Sequence, residues 1–220
     1  MSDRAARRTA AAEACRSFAG AGLGARAWAA ARMANAPLGD LDSDLLRMRG
    51  RILSVGCGFG VVERYVAIRN PEVEIVGYEL EHDRVVAADA TQAAAPRVTI
   101  HEADVTRLGD VGAFDAAIAM DVFHHIEAPG QARLAEALAR LVRPGGEVLV
   151  KDIATTPGWQ HSFNALHDRL AVGERTHCRS PRGMSATLAG AGLRVEGWRR
   201  VGRLSPYPHY VVRATATPAQ

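Results

Sequence analysis

A glycine-rich turn and two acidic side chains are the residues of this sequence whose types and spacing best suit ligand binding. Gly56, Gly58 and Gly60 follow a short apolar run and precede a helical pattern. Glycines there let a ligand approach the backbone, and the N–H groups that open the helix can bind a carboxylate or phosphate. Glu79 ends the next apolar run, and Asp104 follows the run after that. A carboxylate about 20 residues beyond such a turn can accept hydrogen bonds from ribose hydroxyls, so the set predicts a nucleoside site.

The glycine spacing separates two kinds of nucleoside ligand. A dinucleotide fingerprint has the pattern G-x-G-x-x-G/A, whereas here the third glycine comes one residue early and Val61 takes its place. An NAD-linked reductase is therefore the weaker alternative. If the glycines are considered alone, a tight strand-to-helix turn without a ligand also explains them.

Alternating strands and helices must position these residues. We predict strands at 51–55, 73–79, 97–104, 114–121 and 147–153, and helices at 61–69, 82–94 and 130–142, the last helix running into a turn at 144–146. This alternation is typical of parallel βαβ units. Ligands of such sheets bind at the carboxyl ends of the strands, so the glycine turn, Glu79 and Asp104 are expected to share one crevice.

Both ends of the chain depart from this alternation. Residues 1–48 predict a helical N-terminal lead-in, which either packs on the domain or closes over a site as a lid. Residues 49–220 predict one α/β domain. A helix at 160–172 and a short helix after Pro181 precede two strands, 193–201 and 209–216, which are close enough to pair as an antiparallel hairpin.

Composition excludes several classes of protein. The chain has 220 residues, of which 48% are hydrophobic and 23% charged, so we expect a folded domain. The net charge of +3 comes from arginines spread along the whole chain, with Lys151 as the single lysine, so we expect no nucleic-acid partner. Three scattered cysteines predict neither disulfides nor a zinc site. We find neither a signal peptide nor a transmembrane segment, and we expect a cytoplasmic protein.

Residues 50–155 resemble the S-adenosylmethionine-dependent methyltransferases with a Rossmann-like fold. The resemblance rests on VGCGFG, Glu79, Asp104, FDAAIAMDVFHHI and RPGGEVLVKD, which occur in the family's order. It implies an α/β fold with a seven-stranded, mostly parallel sheet that ends in an antiparallel hairpin. It also implies S-adenosylmethionine as the cofactor.

The resemblance implies roles for the residues at the strand ends. The glycines would pass close to the methionine part of the cofactor, Glu79 would bind the ribose hydroxyls, Asp104 would meet the adenine amino group, and Met120 and Asp121 would lie near the sulfonium. The full set of implied cofactor-binding residues is Gly56, Gly58, Gly60, Glu79, Leu80, Asp104, Val105, Met120 and Asp121.

Ser54 departs from the family pattern. The family usually has Asp or Glu at this position, in the strand before the glycines, where the acid helps to hold the methionine amino group. We hypothesise that Asp121, or a water molecule on Ser54, replaces that contact.

Three residues after the fourth and fifth strands are candidates for catalysis. His124, His125 and Asp152 are predicted at the carboxyl edge, and an imidazole there can serve as a general base if the acceptor is a hydroxyl. His124 is the better candidate because we expect His125 to turn under the sheet, although packing explains histidines here as well. Asp152 could orient a substrate or a histidine, or form an ion pair with Lys151, which should face away by strand alternation.

Aromatic and imidazole side chains near the end of the chain predict an acceptor pocket, with ordinary core packing as the alternative. These candidates are Trp159, Phe163 and His167, together with Tyr207 and His209 in the loop before the last strand. We predict no metal, because Mg²⁺ prefers oxygen ligands over paired histidines.

The predicted function is transfer of a methyl group from S-adenosylmethionine to an oxygen, nitrogen or carbon atom of a small organic acceptor, in secondary metabolism. An RNA or protein methyltransferase is one alternative, although MDVFHHI stands where an N/D-P-P-Y signature would be expected. A catalytically silent cofactor-binding module is another, and Ser54 is the feature that favours it.

Overall fold

The computed structural model describes residues 3–157, 176–203 and 205–218 of the chain. The helices are α1 (Asp3–Arg16), α2 (Leu23–Asn35), α3 (Leu38–Leu45), α4 (Val61–Arg69), α5 (His82–Asp89), α6 (Ala128–Leu141) and α7 (Pro181–Gly190). The strands are β1 (Gly50–Val55), β2 (Val73–Glu79), β3 (Val98–Glu102), β4 (Phe114–Met120), β5 (Val142–Ile153), β6 (Leu193–Arg200) and β7 (His209–Ala216).

The strands form a seven-stranded sheet in the order β3-β2-β1-β4-β5-β7-β6. β1, β2 and β3 pair in parallel, and so do β4 and β5, whereas β7 is antiparallel to both β5 and β6. This confirms the predicted α/β class, the mostly parallel sheet and the antiparallel C-terminal hairpin. The chain divides into two compact units, residues 1–107 and residues 108–220.

In the first unit, β2 follows from a run of β-branched residues and is buried along almost its whole length. Such continuous burial is typical of parallel strands that are covered on both faces. α4 begins after Gly60 and ends at Arg69, because the residue before Pro71 disfavours the helical conformation. Both elements have the predicted bounds.

The N-terminal helices α1 to α3 pack on α4 in the same unit. The side chains of Ala14, Leu41 and Leu45 are fully buried there. The Tyr65 hydroxyl donates a hydrogen bond of 2.6 Å to Asp42 of α3, and the resulting burial and proximity to Asp42 raise the pKa of Tyr65. The lead-in helices therefore share one core with the helix that follows the glycine turn.

Arg64 connects several segments of the first unit through hydrogen bonds. Its buried guanidinium donates hydrogen bonds to Ser17 Oγ at 2.8 Å, to Thr91 Oγ1 at 2.6 Å and to the Ala88 carbonyl oxygen at 3.1 Å. It also stacks 4.4 Å from the centre of the Phe18 ring. Burial lowers the pKa of Arg64 to about 10. The three hydrogen-bond acceptors offset the cost of burying a cation.

The second unit carries the antiparallel end of the sheet. The predicted turn at 144–146 lies inside β5, because pairing with β4 begins at Val142 and resumes at Glu147 after a break in register. α7 opens with Ser180, whose hydroxyl accepts a hydrogen bond from the Gly183 N–H, and with proline as the first helical residue. The helix predicted at 160–172 lies outside the described residues.

No helix in the described parts of the chain combines the length and the apolar character needed to cross a membrane.

Leu41→Ala tests whether α3 belongs to the cooperative core. We expect a loss of about 2–5 kcal/mol of unfolding free energy in urea denaturation, because the side chain is fully buried and leaves a cavity. Leu23→Ala is the control: Leu23 is 81% exposed, and its replacement should change stability by less than about 0.5 kcal/mol. Equal stability of the two variants would show that α3 is not part of that core.

Candidate functional site

The glycine turn is shaped so that side chains are excluded at two of its positions. Gly58 and Gly60 have φ angles of +58° and +77°, a region that residues with a Cβ rarely adopt. A Cβ added to Gly58 would lie 2.9 Å from the Trp28 ring, and one added to Gly60 would overlap the Ile100 side chain. The turn therefore requires glycine for conformation and for space.

Trp28 of α2 covers this turn. Its ring packs against Phe59 with the ring centres 4.7 Å apart and the planes 53° apart. Trp28 was not predicted from the sequence, because no local pattern indicates that a residue 30 positions before Gly58 returns to contact the turn. The lead-in thus contacts the candidate ligand site as well as packing on α4.

Glu79 joins the end of β2 to the glycine turn. Its buried carboxylate accepts hydrogen bonds from the backbone N–H groups of Gly58 at 2.7 Å, Leu80 at 2.9 Å and Glu81 at 3.1 Å. Arg84 lies 3.6 Å away. A carboxylate has about four acceptor positions, so one ribose hydroxyl can bind here without displacing a backbone N–H.

Asp104 lies beyond the end of β3, next to Glu79, since the Ala103 N–H donates a hydrogen bond of 3.1 Å to the Glu79 carbonyl. Oδ1 of Asp104 accepts hydrogen bonds from Thr106, and Oδ2 lies 3.4 Å from the exposed Arg107 guanidinium. Of the two apolar residues predicted to bind the cofactor here, Leu80 is 66% exposed whereas Val105 is buried.

A buried acid that the sequence analysis missed also lies at the glycine turn. Ser54 Oγ donates a hydrogen bond of 2.7 Å to Oε1 of Glu63, in the first turn of α4. Glu63 is 3% exposed, and burial raises its pKa, opposed by the Ser54 hydrogen bond and by the Arg32 and Arg64 charges. The sequence did contain a signal for this acid. Ser54 stands where the family usually has Asp or Glu, and Glu63 follows nine residues later.

Cys57 of the glycine turn is buried near the carboxylates of Glu63 and Glu79. Burial raises the pKa of its thiol well above the ordinary value, and the Glu63 and Glu79 charges raise the pKa further. A Cβ added to Gly77 of β2 would lie 2.6 Å from the Cys57 sulfur. The thiol is therefore a packing group, and both carboxylates lie within electrostatic range of it.

In the second unit, Asp152 at the end of β5 holds His124. One carboxylate oxygen of Asp152 binds His124 Nδ1 and the Ile153 N–H, and the other accepts a hydrogen bond of 3.1 Å from the His124 N–H. Both side chains are buried. Of the three alternatives stated for Asp152, the structure shows the contact with a histidine, and a role of Asp152 in catalysis stays a prediction.

Lys151 pairs with Asp121 instead. Its ammonium group contacts the Asp121 carboxylate, and the Lys151 carbonyl accepts a hydrogen bond of 2.8 Å from the Asp121 N–H. Asp121 adopts a φ of +60°, which is uncommon for a residue with a Cβ. Met120, the other predicted residue here, is buried at the end of β4. The hypothesis that Asp121 replaces an acid at Ser54 stays untested, and in this structure Asp121 has a cation of its own.

The expectation that His125 turns under the sheet is wrong. A short 3-10 turn, Phe123–His125, follows β4 and reverses the side-chain directions, so that His124 is buried and His125 is exposed. The two rings remain in contact, with their centres 4.1 Å apart. Gln131 fixes this turn by donating hydrogen bonds to the carbonyl oxygens of Phe123 and Ile126, both at 2.8 Å.

The predicted acceptor residues are only partly described. Trp159, Phe163 and His167 lie outside the described residues. Tyr207 is half-buried, with its ring centre 5.6 Å from that of His209. His209 is the first residue of β7, as in the strand predicted at 209–216, and it is buried, which favours the alternative of core packing.

Asp121, His124 and Asp152 have ligand atoms within 4.8 Å of one another, a spacing that a metal ion could bridge. His124 and Asp152 bind each other, and Asp121 binds the Lys151 ammonium. Each of the three side chains thus has a protein group as a partner in this structure.

Residues 52–146 match the family model described as a methyltransferase domain. A similar protein is the ubiquinone biosynthesis O-methyltransferase of Paracidovorax citrulli strain AAC00-1, 31% identical over 105 residues, which cover 47% of this chain and 43% of the relative. The chain thus spans less than half of that relative's length.

Solved structures show the same fold. An O-methyltransferase family protein from Burkholderia thailandensis has a TM-score of 0.71 at 22% identity, over 87% of this chain and 58% of its own. The mitomycin 7-O-methyltransferase MmcR has a TM-score of 0.72 at 21% identity, over 87% of this chain and 56% of its own.

The strands and helices define an α/β domain whose strand ends carry the candidate nucleoside-binding residues. More particularly, residues 52–146 match a methyltransferase domain, which supports S-adenosylmethionine as the cofactor. The first unit fits this cofactor on three structural grounds: a backbone cradle at Gly58, an acceptor position left on Glu79, and a buried acid at Glu63.

Glu63→Gln should change how stability depends on pH. Because burial raises the pKa of Glu63 above 4.5, the folded protein holds a proton that the unfolded chain releases. The stability this proton provides is complete at low pH and declines as the pH rises through the folded pKa. In urea denaturation from pH 4.5 to 8, the variant should therefore gain stability relative to the wild type.

Glu74→Gln is the control for this experiment, since Glu74 is an exposed carboxylate on β2. Its stability should parallel that of the wild type across the series. A Glu63→Gln curve that also runs parallel to the wild type would contradict the raised pKa.

Proposed function

We propose that this protein is an S-adenosylmethionine-dependent O-methyltransferase that acts on a hydroxyl group of a small organic acceptor in a biosynthetic pathway. The methyltransferase domain and the O-methyltransferase relatives support the reaction class. The observation that carries the choice of a hydroxyl acceptor is the His124 ring held by Asp152, because only an acceptor that must lose a proton needs a base.

The first unit supplies the cofactor site in this proposal. The Gly58 and Gly60 backbone would accommodate the methionine part, Glu79 would accept a hydrogen bond from a ribose hydroxyl, and Asp104 would accept one from the adenine amino group. The exposed side chain of Leu80 would pack on the adenine ring. S-adenosylmethionine supplies, when bound, a methyl group on an activated sulfonium leaving group.

The second unit supplies the base. A hydrogen bond from His124 Nδ1–H to Asp152 leaves Nε2 as the ring nitrogen with the lone pair, which can take the proton from an acceptor hydroxyl. The Asp152 carboxylate then stabilises the imidazolium that forms. Both groups are buried, so their electrostatic interaction is weakly screened by water.

The nearby side chains favour a small acceptor. Tyr207 and the exposed His125 provide aromatic surface of the kind that packs against a ring or an aliphatic chain. Several relatives that match this chain are O-methyltransferases of ubiquinone biosynthesis, which supports a small-molecule acceptor over a macromolecular one. Incubation with labelled S-adenosylmethionine and a panel of hydroxylated aromatic and aliphatic compounds would identify the acceptor.

Glu79→Gln tests the cofactor site. Losing a hydrogen bond to a charged acceptor should weaken binding of S-adenosylhomocysteine about 10- to 100-fold in calorimetry. Glu74→Gln, an exposed carboxylate on the same strand, should bind like the wild type. Wild-type affinity in Glu79→Gln would show that the nucleoside does not use this end of β2.

His124→Gln tests the base. We expect kcat to fall about 100- to 10,000-fold with the acceptor found in the panel, because the proton acceptor is lost. S-adenosylhomocysteine affinity should not change. His101→Gln, an exposed imidazole on β3, is the control. An unchanged kcat for His124→Gln between pH 6 and 9 would exclude His124 as the base.

A further inference from the structure

Glu63 is a buried acid with half of its carboxylate satisfied. Oε1 accepts the hydrogen bond from Ser54, whereas Oε2 is buried and has no hydrogen-bond partner among residues 3–157, 176–203 and 205–218. Buried polar atoms in folded proteins are nearly always hydrogen-bonded, and an orphaned carboxylate oxygen is costly. A group outside the described chain that donates to Oε2 would remove this cost.

The position of Glu63 limits what that group can be. Glu63 lies in the first turn of α4, directly after the glycine turn, and its charge acts on the Cys57 thiol inside that turn together with the charge of Glu79. The partner of Oε2 must therefore reach the glycine turn. In the proposed function, the group that binds at this turn is the amino-acid part of the cofactor.

Charge then selects one group within that part. The methionine moiety carries a carboxylate and an ammonium, and only the ammonium offers N–H donors and a charge opposite to that of Glu63. Arg32 acts on Glu63 by its charge but makes no hydrogen bond to Oε2. The other neighbouring cation, Arg64, is committed to Ser17, Thr91 and the Ala88 carbonyl. Those hydrogen bonds direct its guanidinium to groups other than Oε2.

We propose that Glu63, positioned by the hydroxyl of Ser54, is the residue that binds the ammonium group of the methionine moiety of the cofactor. The inference rests on the proposed function, since it assumes that S-adenosylmethionine binds at this turn. In this inference, a residue of helix α4 supplies the negative charge that strand β1 lacks because it has Ser54 in place of an acid. A side chain of Asp or Glu at position 54 would extend towards the space that the Glu63 carboxylate occupies, because Oε1 is 2.7 Å from Ser54 Oγ.

The test compares two ligands that differ only in the ammonium group. S-adenosylhomocysteine contains it, and its deaminated analogue keeps the nucleoside, the thioether and the carboxylate. Calorimetry on the wild type should show tighter binding of S-adenosylhomocysteine by about 10- to 100-fold. In Glu63→Gln the ratio of the two affinities should fall to nearly one, because the affinity for S-adenosylhomocysteine falls while the affinity for the analogue stays unchanged.

Two further variants separate binding from folding. Asp44→Asn removes another buried carboxylate, in α3, and should keep the preference of the wild type. Ser54→Asp combined with Glu63→Gln moves the acid to strand β1 and should restore much of the preference. Thermal unfolding of every variant without ligand checks that the fold is intact.

Each outcome has a distinct meaning. A Glu63→Gln variant that folds and still prefers S-adenosylhomocysteine as strongly as the wild type would overturn the inference while leaving the proposed function standing. The inference would also fail if Glu63→Gln were unfolded and the double variant, although folded, showed no preference. A wild type that binds neither ligand would instead overturn the proposed function itself.

Discussion

The Glu79 carboxylate is the interaction on which the first unit's site depends. It ends β2, and it accepts N–H groups both from its own strand end and from Gly58 in the turn after β1. A single buried charge thus fixes the distance between two neighbouring strand ends. Because the donors are backbone groups, the arrangement costs no side-chain entropy on the donor side. These hydrogen bonds hold the turn in place without a ligand, and such preorganisation lowers the entropic cost of binding.

At the end of β5, the charged side chains of the second unit form two neighbouring pairs. Lys151 and Asp152 are neighbours in β5, and each binds a residue that follows β4, Asp121 in one case and His124 in the other. The two pairs are close to each other, since ligand atoms of Asp121, His124 and Asp152 lie within 4.8 Å of one another. An isolated buried charge would be unstable, and removing one partner would leave its counterpart unpaired. These pairings therefore explain why Lys151, His124 and Asp152 can remain buried at one edge, beside the half-buried Asp121.

The local sequence pattern was enough to predict most helices and strands of the first unit, because glycine, proline or polar residues mark where these elements end. The helix Val61–Arg69 is bounded by Gly60 and Pro71, and the strand Val73–Glu79 is a β-branched run between polar residues. The contacts of Trp28 and Glu63 were missed because they join distant or differently structured segments. The directions of His124 and His125 could not be derived either, since a 3-10 turn interrupts the alternation that a strand would continue.

The hydrogen bond between Ser54 and Glu63 also constrains how this sequence can vary. An acid introduced at position 54 while Glu63 remains would bring two carboxylates together in a buried space, where they could not both ionise. Loss of Glu63 without such an acid would leave the turn with no negative charge except Glu79. Substitutions at the two positions are therefore interdependent, and homologous sequences should carry the acid at one position or the other, with joint changes visible as covariation.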